Sequence, residues 1–245
     1  RMSGWMGDLR VAGRALRRRP GFTLTVLLTL ALGIGANTAF FGVFRSVFLE
    51  PLPYPESDRL AFVMETASFG CCGPASGPDY LDWEERQRSF SRIGTINHML
   101  ATLTGDGEAE RLPAVAVTAS VFDVLQVEPA MGRGFTPEDQ EAPSVVVLSH
   151  WLWETRYGSD PDILDRSISV NGRQYQVVGV MPPGYDVLSP WMRTGRFALY
   201  LPFPDERLAG NRGNHSFPVV GRLAPGMTLE GAEADMQRVM RELAV

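Results

Sequence analysis

The histidines and a serine–histidine pair are the residues whose types could support chemistry in this sequence. His98, His150 and His215 stand too far apart for the i, i+3 or i+4 spacing of a helical metal motif. A cluster built from distant segments stays open, but we expect structural or surface histidines and predict no metal site. Ser149 precedes His150 and lies upstream of Asp160 and Asp162, yet no Gly-x-Ser-x-Gly turn exposes a nucleophile. The pattern predicts no catalytic residue and no enzyme.

Cys71 and Cys72 are the two cysteines of the chain, and they are adjacent. Neighbouring cysteines rarely form a disulfide, because their Cβ atoms do not fit the geometry of a bridge. One interpretation is a vicinal redox pair or a pair of metal-sensing thiols; the other is two small loop residues beside Gly70 and Gly73. We expect the loop residues, since no second cysteine pair completes a zinc site.

The chain contains no lysine, because all 23 basic residues are arginine. A Walker A loop, a pyridoxal enzyme and a protein kinase each require a lysine, so all three classes are excluded. The stretch Gly33-Ile-Gly-Ala-Asn-Thr is close to a dinucleotide-binding loop, but it lacks the third glycine and lies within an apolar segment. The sequence therefore predicts no cofactor.

Charge is distributed unevenly along the chain. The formal net charge is −5, yet residues 1–19 carry six arginines against Asp8 alone, so the remainder is strongly acidic. Phosphate binding needs clustered positive charge. We therefore expect no nucleic acid partner for the bulk of the chain.

A long apolar segment follows this basic start. No residue from Gly21 to Phe44 is charged, and about 24 helical residues span roughly 35 Å, enough to cross a bilayer core. A cleaved signal peptide would have a shorter apolar region, of about 7 to 15 residues. We predict a retained transmembrane helix over residues 20–47, preceded by a basic interfacial helix over 1–19. Because positive residues stay cytoplasmic, the N-terminus lies inside and the following domain outside.

Small residues recur along the predicted membrane helix. Ala31, Gly35, Ala39 and Gly42 follow one another at helical spacing, and Asn37 lies near the middle of the segment. A small-residue face lets another helix approach closely, and a buried amide favours a partner helix. The alternative is that small residues are simply common in membrane helices. We assign these five residues to membrane-helix packing.

The remaining residues, 48–245, predict a mixed domain. Asn171-Gly172 favours a two-residue hairpin turn, and Ser120 and Thr228 are predicted helix caps. Strands are expected at 59–66, 93–104, 109–118, 144–149, 167–170, 174–178, 197–201 and 217–223, and helices at 79–90, 120–125, 150–157 and 229–243. Strands and helices do not alternate strictly, so the fold class is α+β with mostly antiparallel strands, in one or two lobes.

Several segments resemble a known family in order along the chain. The residues that carry the resemblance are Leu32-Gly-Ile-Gly-Ala-Asn-Thr-Ala-Phe-Phe, Pro51-Leu-Pro-Tyr-Pro, Pro78-Asp-Tyr-Leu-Asp-Trp, Val117-Thr-Ala-Ser-Val-Phe-Asp-Val-Leu, Gly132-Arg-Gly-Phe-Thr-Pro-Glu-Asp, Val145-Val-Val-Leu-Ser-His and Val177-Val-Gly-Val-Met-Pro-Pro-Gly-Tyr. They are similar to the first membrane helix and periplasmic core domain of MacB-like permeases of the FtsX type, in the duplicated-permease branch. The resemblance covers nearly the whole chain.

The resemblance implies a function in transport rather than catalysis. Such permeases work with a cytoplasmic ATPase and transmit its cycle to a periplasmic domain, so we expect a motion-transmitting and interaction domain of an export or extraction permease. The implied partners are the lipid bilayer, further permease helices, the ATPase subunit and a periplasmic adaptor. The implied location is the bacterial inner membrane, crossed once by this chain. Because the family has further membrane helices, we expect residues 48–245 to be C-terminally incomplete.

Two other functions fit the same sequence. An autonomous, membrane-anchored binding or sensor module would need only the anchor and the domain. An anchored hydrolase would need a nucleophile and a base brought together in a cleft.

Overall fold

A computed structural model describes residues 18–44, 54–66, 72–105, 107–185 and 196–243. The chain divides into two compact units, Arg1–Leu52 and Pro53–Val245. The interfacial helix predicted before Arg18 lies outside the described residues.

In the first unit, helix α1 (Pro20–Phe44) is 25 residues long and carries no charged residue in its first or last turn. Its Pro20–Phe41 part has a mean hydropathy of 1.8 with none of it buried, and it is the one candidate membrane span among the described residues, by length and composition. The hydroxyls of Thr25 and Thr29 donate to backbone carbonyls four residues earlier, at 3.0 and 2.8 Å. These polar side chains are therefore satisfied within the helix.

The second unit contains the sheet. Its strands, in chain order, are β1 (Leu60–Val63), β2 (Phe90–Thr104), β3 (Glu110–Val117), β4 (Met131–Gly132), β5 (Val145–Leu148), β6 (Ser167–Val170), β7 (Arg173–Val180), β8 (Leu199–Pro202) and β9 (Val219–Leu223). The helices beside it are α2 (Gly77–Arg86), α3 (Ser120–Leu125), α4 (Pro137–Glu141), α5 (His150–Tyr157), α6 (Asp205–Leu208) and α7 (Leu229–Leu243).

Hydrogen bonding joins the nine strands in the order β1-β9-β2-β3-β8-β5-β7-β4, with β6 paired to β2 and β7. The β3–β8 and β5–β7 pairs are parallel, and the remaining pairs are antiparallel. The predicted α+β class with mostly antiparallel strands is confirmed.

Strand β2 connects the two halves of this sheet. Its 15 residues pair with β9 at the N-terminal end and with β3 from Ile96 to Leu103. A register shift between Phe90 and Arg92 marks its start. One continuous strand therefore belongs to both halves.

Two apolar clusters form the core. The central cluster lies around the second half of β2 and the strands that follow it, and it consists of Ala101, Leu103, Leu112, Ala114, Val146, Leu148, Leu152, Tyr157, Ile163, Ile168, Val170, Val177, Val180, Ala198, Leu199 and Leu201. The terminal cluster lies beneath α2 and α7, and it consists of Val63, Ala75, Tyr80, Trp83, Phe90, Ile93, Ala116, Phe203, Leu208, Phe217, Val219, Leu223, Ala232 and Val239.

The local signals for turns and caps are largely confirmed. Val170 pairs with Arg173 around the Asn171-Gly172 turn, where φ is 51° and 77°, as a type I′ hairpin requires. The predicted cap Thr228 accepts a hydrogen bond from the Gly231 N–H at 3.1 Å. The predicted cap at Ser120 is wrong.

The N-cap position of α3 is occupied by Ala119, with no capping side chain. The hydroxyl of Ser120 instead lies 3.0 Å from that of Thr118. A second predicted boundary is also wrong. The helix expected at 79–90 ends at Arg86, and Phe90 begins β2. The Gln87 side chain spans this break, since it accepts from the Phe90 N–H at 2.8 Å and donates to the Phe90 carbonyl at 3.2 Å.

Candidate functional site

The residues predicted to pack against other membrane helices all lie in α1. Ala31, Gly35, Asn37 and Ala39 are exposed, and Gly42 continues the helix backbone. A Cβ added at Gly35 would meet no atom within 4 Å. The small-residue face is open, and its packing against another helix stays a prediction.

Asn37 lies on a different side of α1 from the small residues. At about 100° per residue, the face centred between Ala31 and Ala39 is roughly 160° away from Asn37 around the helix. Its amide has no hydrogen-bond partner among the residues that the structure describes. An unpaired amide is costly in hydrocarbon, so a partner for Asn37 on a neighbouring helix also stays a prediction.

A group of polar side chains lies where α2 begins; we call Glu65, Ser76, Asp79, Arg212 and His215 the polar cluster. Glu65 follows β1, Ser76 is the N-cap of α2, Asp79 lies in its first turn, and the other two precede β9. The cluster therefore joins three separate parts of the chain.

Glu65 is the centre of one half of the polar cluster. His215 Nδ1 lies 2.7 Å from Glu65 Oε2, and the Ser76 N–H donates to Glu65 Oε1 at 3.2 Å. Burial raises the pKa of Glu65, and the nearby Asp79 carboxylate reinforces it, whereas the Ser76 N–H and His215 lower it. The balance raises this pKa above its ordinary value, mainly because burial penalises the charged carboxylate.

Asp79 is the centre of the other half. Its carboxylate accepts a hydrogen bond from the Ser76 hydroxyl and another from the Arg212 guanidinium. Arg212 also donates to Asp82, one turn further along α2. The Asp79 side chain is only 13% exposed, whereas that of Arg212 is 56% exposed, so the guanidinium covers the carboxylates from the solvent side.

A cleft of about 1150 Å³ lies between α2, α3, α4 and α6. Its walls combine apolar Phe122 and Phe135 with polar Glu84 and Arg92. The Tyr80 hydroxyl donates to Glu84 Oε1 at 3.1 Å, and burial raises the pKa of both groups. Glu84 is therefore a carboxyl group whose proton affinity is increased by its position in the cleft wall.

One side of the cleft is closed by Gln140. Its side-chain oxygen accepts from the Ala119 N–H, and its nitrogen donates to Asp205 at 2.7 Å. This residue joins α3, α4 and α6. The sequence did not predict α4 or α6, although Thr136 and Asp139 form a capping box that is readable as a helix start.

The residues considered for a hydrolase are not brought together. Ser149 caps α5, where its hydroxyl accepts from the Leu152 N–H at 3.1 Å. The His150 ring lies 5.3 Å from the Trp153 ring. Asp160 lies 3.8 Å from Arg166. Among the described residues, no contact joins the serine, the histidine and this aspartate.

His98 and Cys72 are the remaining described residues that were considered for chemistry. The His98 ring stacks on Phe197 at 4.9 Å, and burial lowers the pKa of the imidazole. Cys72 is disulfide-bonded and has φ of 69°, contrary to the expectation that the two cysteines form no bridge. Cys71, the other cysteine of the sequence, lies outside the described residues.

Comparison with known proteins decides what kind of domain this is. The sequence model of the MacB-like periplasmic core domain matches residues 23–239. The chain belongs to this family. A search of curated proteins finds no match.

Several solved structures share the fold of this chain. The periplasmic region of MacB from Actinobacillus actinomycetemcomitans is 15% identical with a TM-score of 0.54, covering 76% of this chain and 84% of that one. A domain assigned to a permease from Porphyromonas gingivalis is 18% identical with a TM-score of 0.56, covering 77% and 86%. The extracellular domain of the noncanonic ABC-type transporter YknZ from Gram-positive bacteria is 14% identical with a TM-score of 0.50, covering 76% and 92%.

Membership of this family assigns the chain to a class of transporter domain. The chain contains a periplasmic domain of the kind found in ABC permeases of the MacB and FtsX type, and α1 is a candidate transmembrane helix.

Proposed function

We propose that this domain transmits motion and binds partners in an ABC-type export or extraction permease, driven by a separate cytoplasmic ATPase. The observation that carries the proposal is the extent of the family match, which begins at residue 23 within α1 and ends at residue 239 within α7. One family unit thus includes both the apolar helix and the folded domain. A domain that is built together with its membrane helix is suited to coupling events across the bilayer.

The energy source in this proposal lies outside the chain. A Walker A loop needs a lysine, and the sequence has none. The three consecutive arginines Arg17, Arg18 and Arg19 directly precede α1, so the positive-inside rule favours a cytoplasmic N-terminus and a periplasmic domain. An ATPase on the cytoplasmic side would then act through α1 and its neighbouring helices.

The construction of the domain favours movement as one body. Strand β2 contributes residues to both the central and the terminal cluster, and side chains inside such clusters are close-packed. A force applied to one cluster is therefore carried to the other through a shared strand. This is the property that a motion-transmitting domain needs.

A second function is favoured by the cleft beside α2. Its volume of about 1150 Å³ and its mixed lining resemble a small-molecule site, since such sites are concave with a few polar groups. An autonomous binding module would be stabilised by a small molecule in a thermal-shift screen of the full chain, and it would be recovered from membranes without an ATPase.

The test of the proposed function compares two alanine-to-leucine changes in α1. Ala31→Leu places a large side chain on the small-residue face, whereas Ala36→Leu lies about 100° from the centre of that face. Affinity-tagged protein is recovered from native membranes, and the bound proteins are identified by mass spectrometry. We expect an ATPase and permease helices with the unchanged protein and with Ala36→Leu, and a several-fold loss with Ala31→Leu.

Recovery of the unchanged protein without any ATPase would overturn the proposal. Equal recovery of partners with both variants would leave the ATPase partnership intact but contradict the assignment of Ala31 to the packing face.

A further inference from the structure

We propose that Glu65, Asp79 and His215 bind a divalent transition-metal cation of the zinc type. Their ligand atoms all lie within 4.8 Å of one another. Tetrahedral zinc with bonds of about 2.0 to 2.1 Å holds neighbouring ligand atoms roughly 3.3 Å apart. Side-chain rotations that move each ligand atom by about an ångström are sufficient to bring these three groups to that spacing.

The backbone around these three ligands is held in place by two bridges. Glu65 and Gly73 exchange hydrogen bonds of 2.9 and 2.8 Å, and Ala75 and Phe217 exchange bonds of 3.0 and 3.1 Å. The first bridge fixes Glu65, and the second fixes the segment that carries His215 beside the start of α2. Metal ligands need this kind of support, because small errors in their position weaken coordination.

The exposure of the three side chains gives an ion a way in. Glu65 and Asp79 are each 13% exposed, whereas His215 is 48% exposed. The two carboxylates form the inner wall of the site, and the imidazole forms its outer edge. A fourth coordination position faces solvent and can hold a water molecule.

The charge of the polar cluster favours a cation with more than one charge. The carboxylates of Glu65 and Asp79 lie within 4.8 Å of each other, and the Arg212 guanidinium donates to Asp79. Arg212 donates to both Asp79 and Asp82, so it can release Asp79 to a metal ion and keep Asp82. The N-terminus of α2 opposes a cation. Arg212 opposes it as well, because the guanidinium competes for the Asp79 carboxylate, so removal of Arg212 should strengthen metal binding.

The imidazole decides the class of metal. Carboxylate oxygens alone suit magnesium and calcium, whereas a nitrogen ligand suits zinc and its neighbours among the transition metals. Magnesium at the same concentration should therefore not displace zinc.

The experiment measures zinc affinity of the full chain in detergent micelles, with any polyhistidine tag removed and no reducing agent. A chromophoric chelator competes for zinc, so the dissociation constant is obtained from its absorbance. We expect one zinc ion per chain, an affinity at least about tenfold weaker in His215→Ala, and an unchanged affinity in the matched control His150→Ala. Arg212→Ala should bind zinc more tightly than the unchanged protein.

Equal zinc affinity in His215→Ala and in the unchanged protein would overturn the proposal, as would weaker binding in Arg212→Ala. Equal displacement of zinc by magnesium would overturn the assignment to the zinc type. Circular dichroism of each variant shows whether it is folded, and Asp79→Asn provides a second loss of a ligand if His215→Ala is not.

Discussion

The central and terminal clusters differ in how the chain builds them. Every residue of the central cluster comes from one continuous segment, from Ala101 to Leu201, and all but one are aliphatic. The terminal cluster comes almost entirely from two distant segments, 63–93 and 203–239, and it contains five large aromatic side chains. The central cluster can therefore form from nearby segments, whereas the terminal cluster needs the two ends of the domain to meet.

The two clusters are also closed by different interactions. Strand pairing surrounds the central cluster, whereas the terminal cluster combines the pairing of β1, β9 and β2 with polar contacts at its edges. The Arg59 guanidinium donates to the Leu223 carbonyl at 3.2 and 2.7 Å, and the Asp235 carboxylate accepts from the N–H groups of Arg88 and Ser89. Elements fastened by a few such contacts open at lower free energy than a sheet interior.

The largest effect should come from removing a large side chain from each cluster. Trp83→Ala should lower the free energy of unfolding by about 3 to 5 kcal/mol, and Leu148→Ala by about 2 to 5 kcal/mol, since both side chains are buried. Urea denaturation of the full chain in detergent measures both changes. Hydrogen exchange distinguishes them, because Trp83→Ala should accelerate exchange in β1 and β9 more than in β5. Equal acceleration in β5 would mean that the clusters open together.

A smaller effect should come from the buried cation Arg222. Its guanidinium donates to the carbonyls of Val124, Pro55 and Glu56 at 2.7, 2.9 and 3.2 Å, and its side chain is 3% exposed. Arg222→Met leaves these acceptors without that donor and should cost about 2 to 3 kcal/mol. The same measurement on exposed Arg111→Met should change stability by less than about 0.5 kcal/mol. A similar loss in both variants would remove the distinction between buried and exposed arginines.

The smallest effect should depend on pH and involve Asp235. Burial raises the pKa of this carboxyl, but hydrogen bonds from Arg88, Ser89 and Arg238 outweigh burial, and the pKa is lowered. The folded state therefore binds its proton less readily than the unfolded state, whose pKa is about 3.9. The stabilisation is complete above that value, and it is lost as the pH falls below it and through the lower pKa of the folded state.

Asp235→Asn should therefore cost about 1 to 2 kcal/mol at neutral pH, and the difference from the unchanged protein should shrink below about pH 4. Unfolding curves between about pH 7 and pH 3 measure this, with exposed Asp162→Asn as the control. A difference that stays constant with pH would show that the charge of Asp235 does not fasten α7 to the segment before β2.

The sequence predicts local turns and caps better than contacts between distant segments, for physical reasons. The Asn171-Gly172 turn and the cap Thr228 are local signals, and the structure contains both of them. The pairing of Glu65 with His215 joins residues 150 positions apart, and no local spacing encodes it. The end of α2 at Gln87 is not encoded locally either. No pattern around this residue distinguishes a glutamine at the end of a helix from one inside it.

Family motifs gave the identity that local patterns could not. The segments from Leu32 to Tyr185 that resemble MacB-like proteins agree with the match over residues 23–239. The boundaries predicted at residues 19, 47 and 48 stay predictions, as does the assignment of the α1 face.

The contact between Arg59 and Leu223 has a mechanical consequence. Strand β1 begins at Leu60, which pairs with Arg222 next to the end of β9, so the chain enters and leaves this ladder at the same end. Once α7 has been pulled away, tension between those two points loads the hydrogen bonds one after another. The ladder then unzips from one end, and its bonds are not loaded together in shear. The guanidinium of Arg59 fastens the end where such an unzipping would begin.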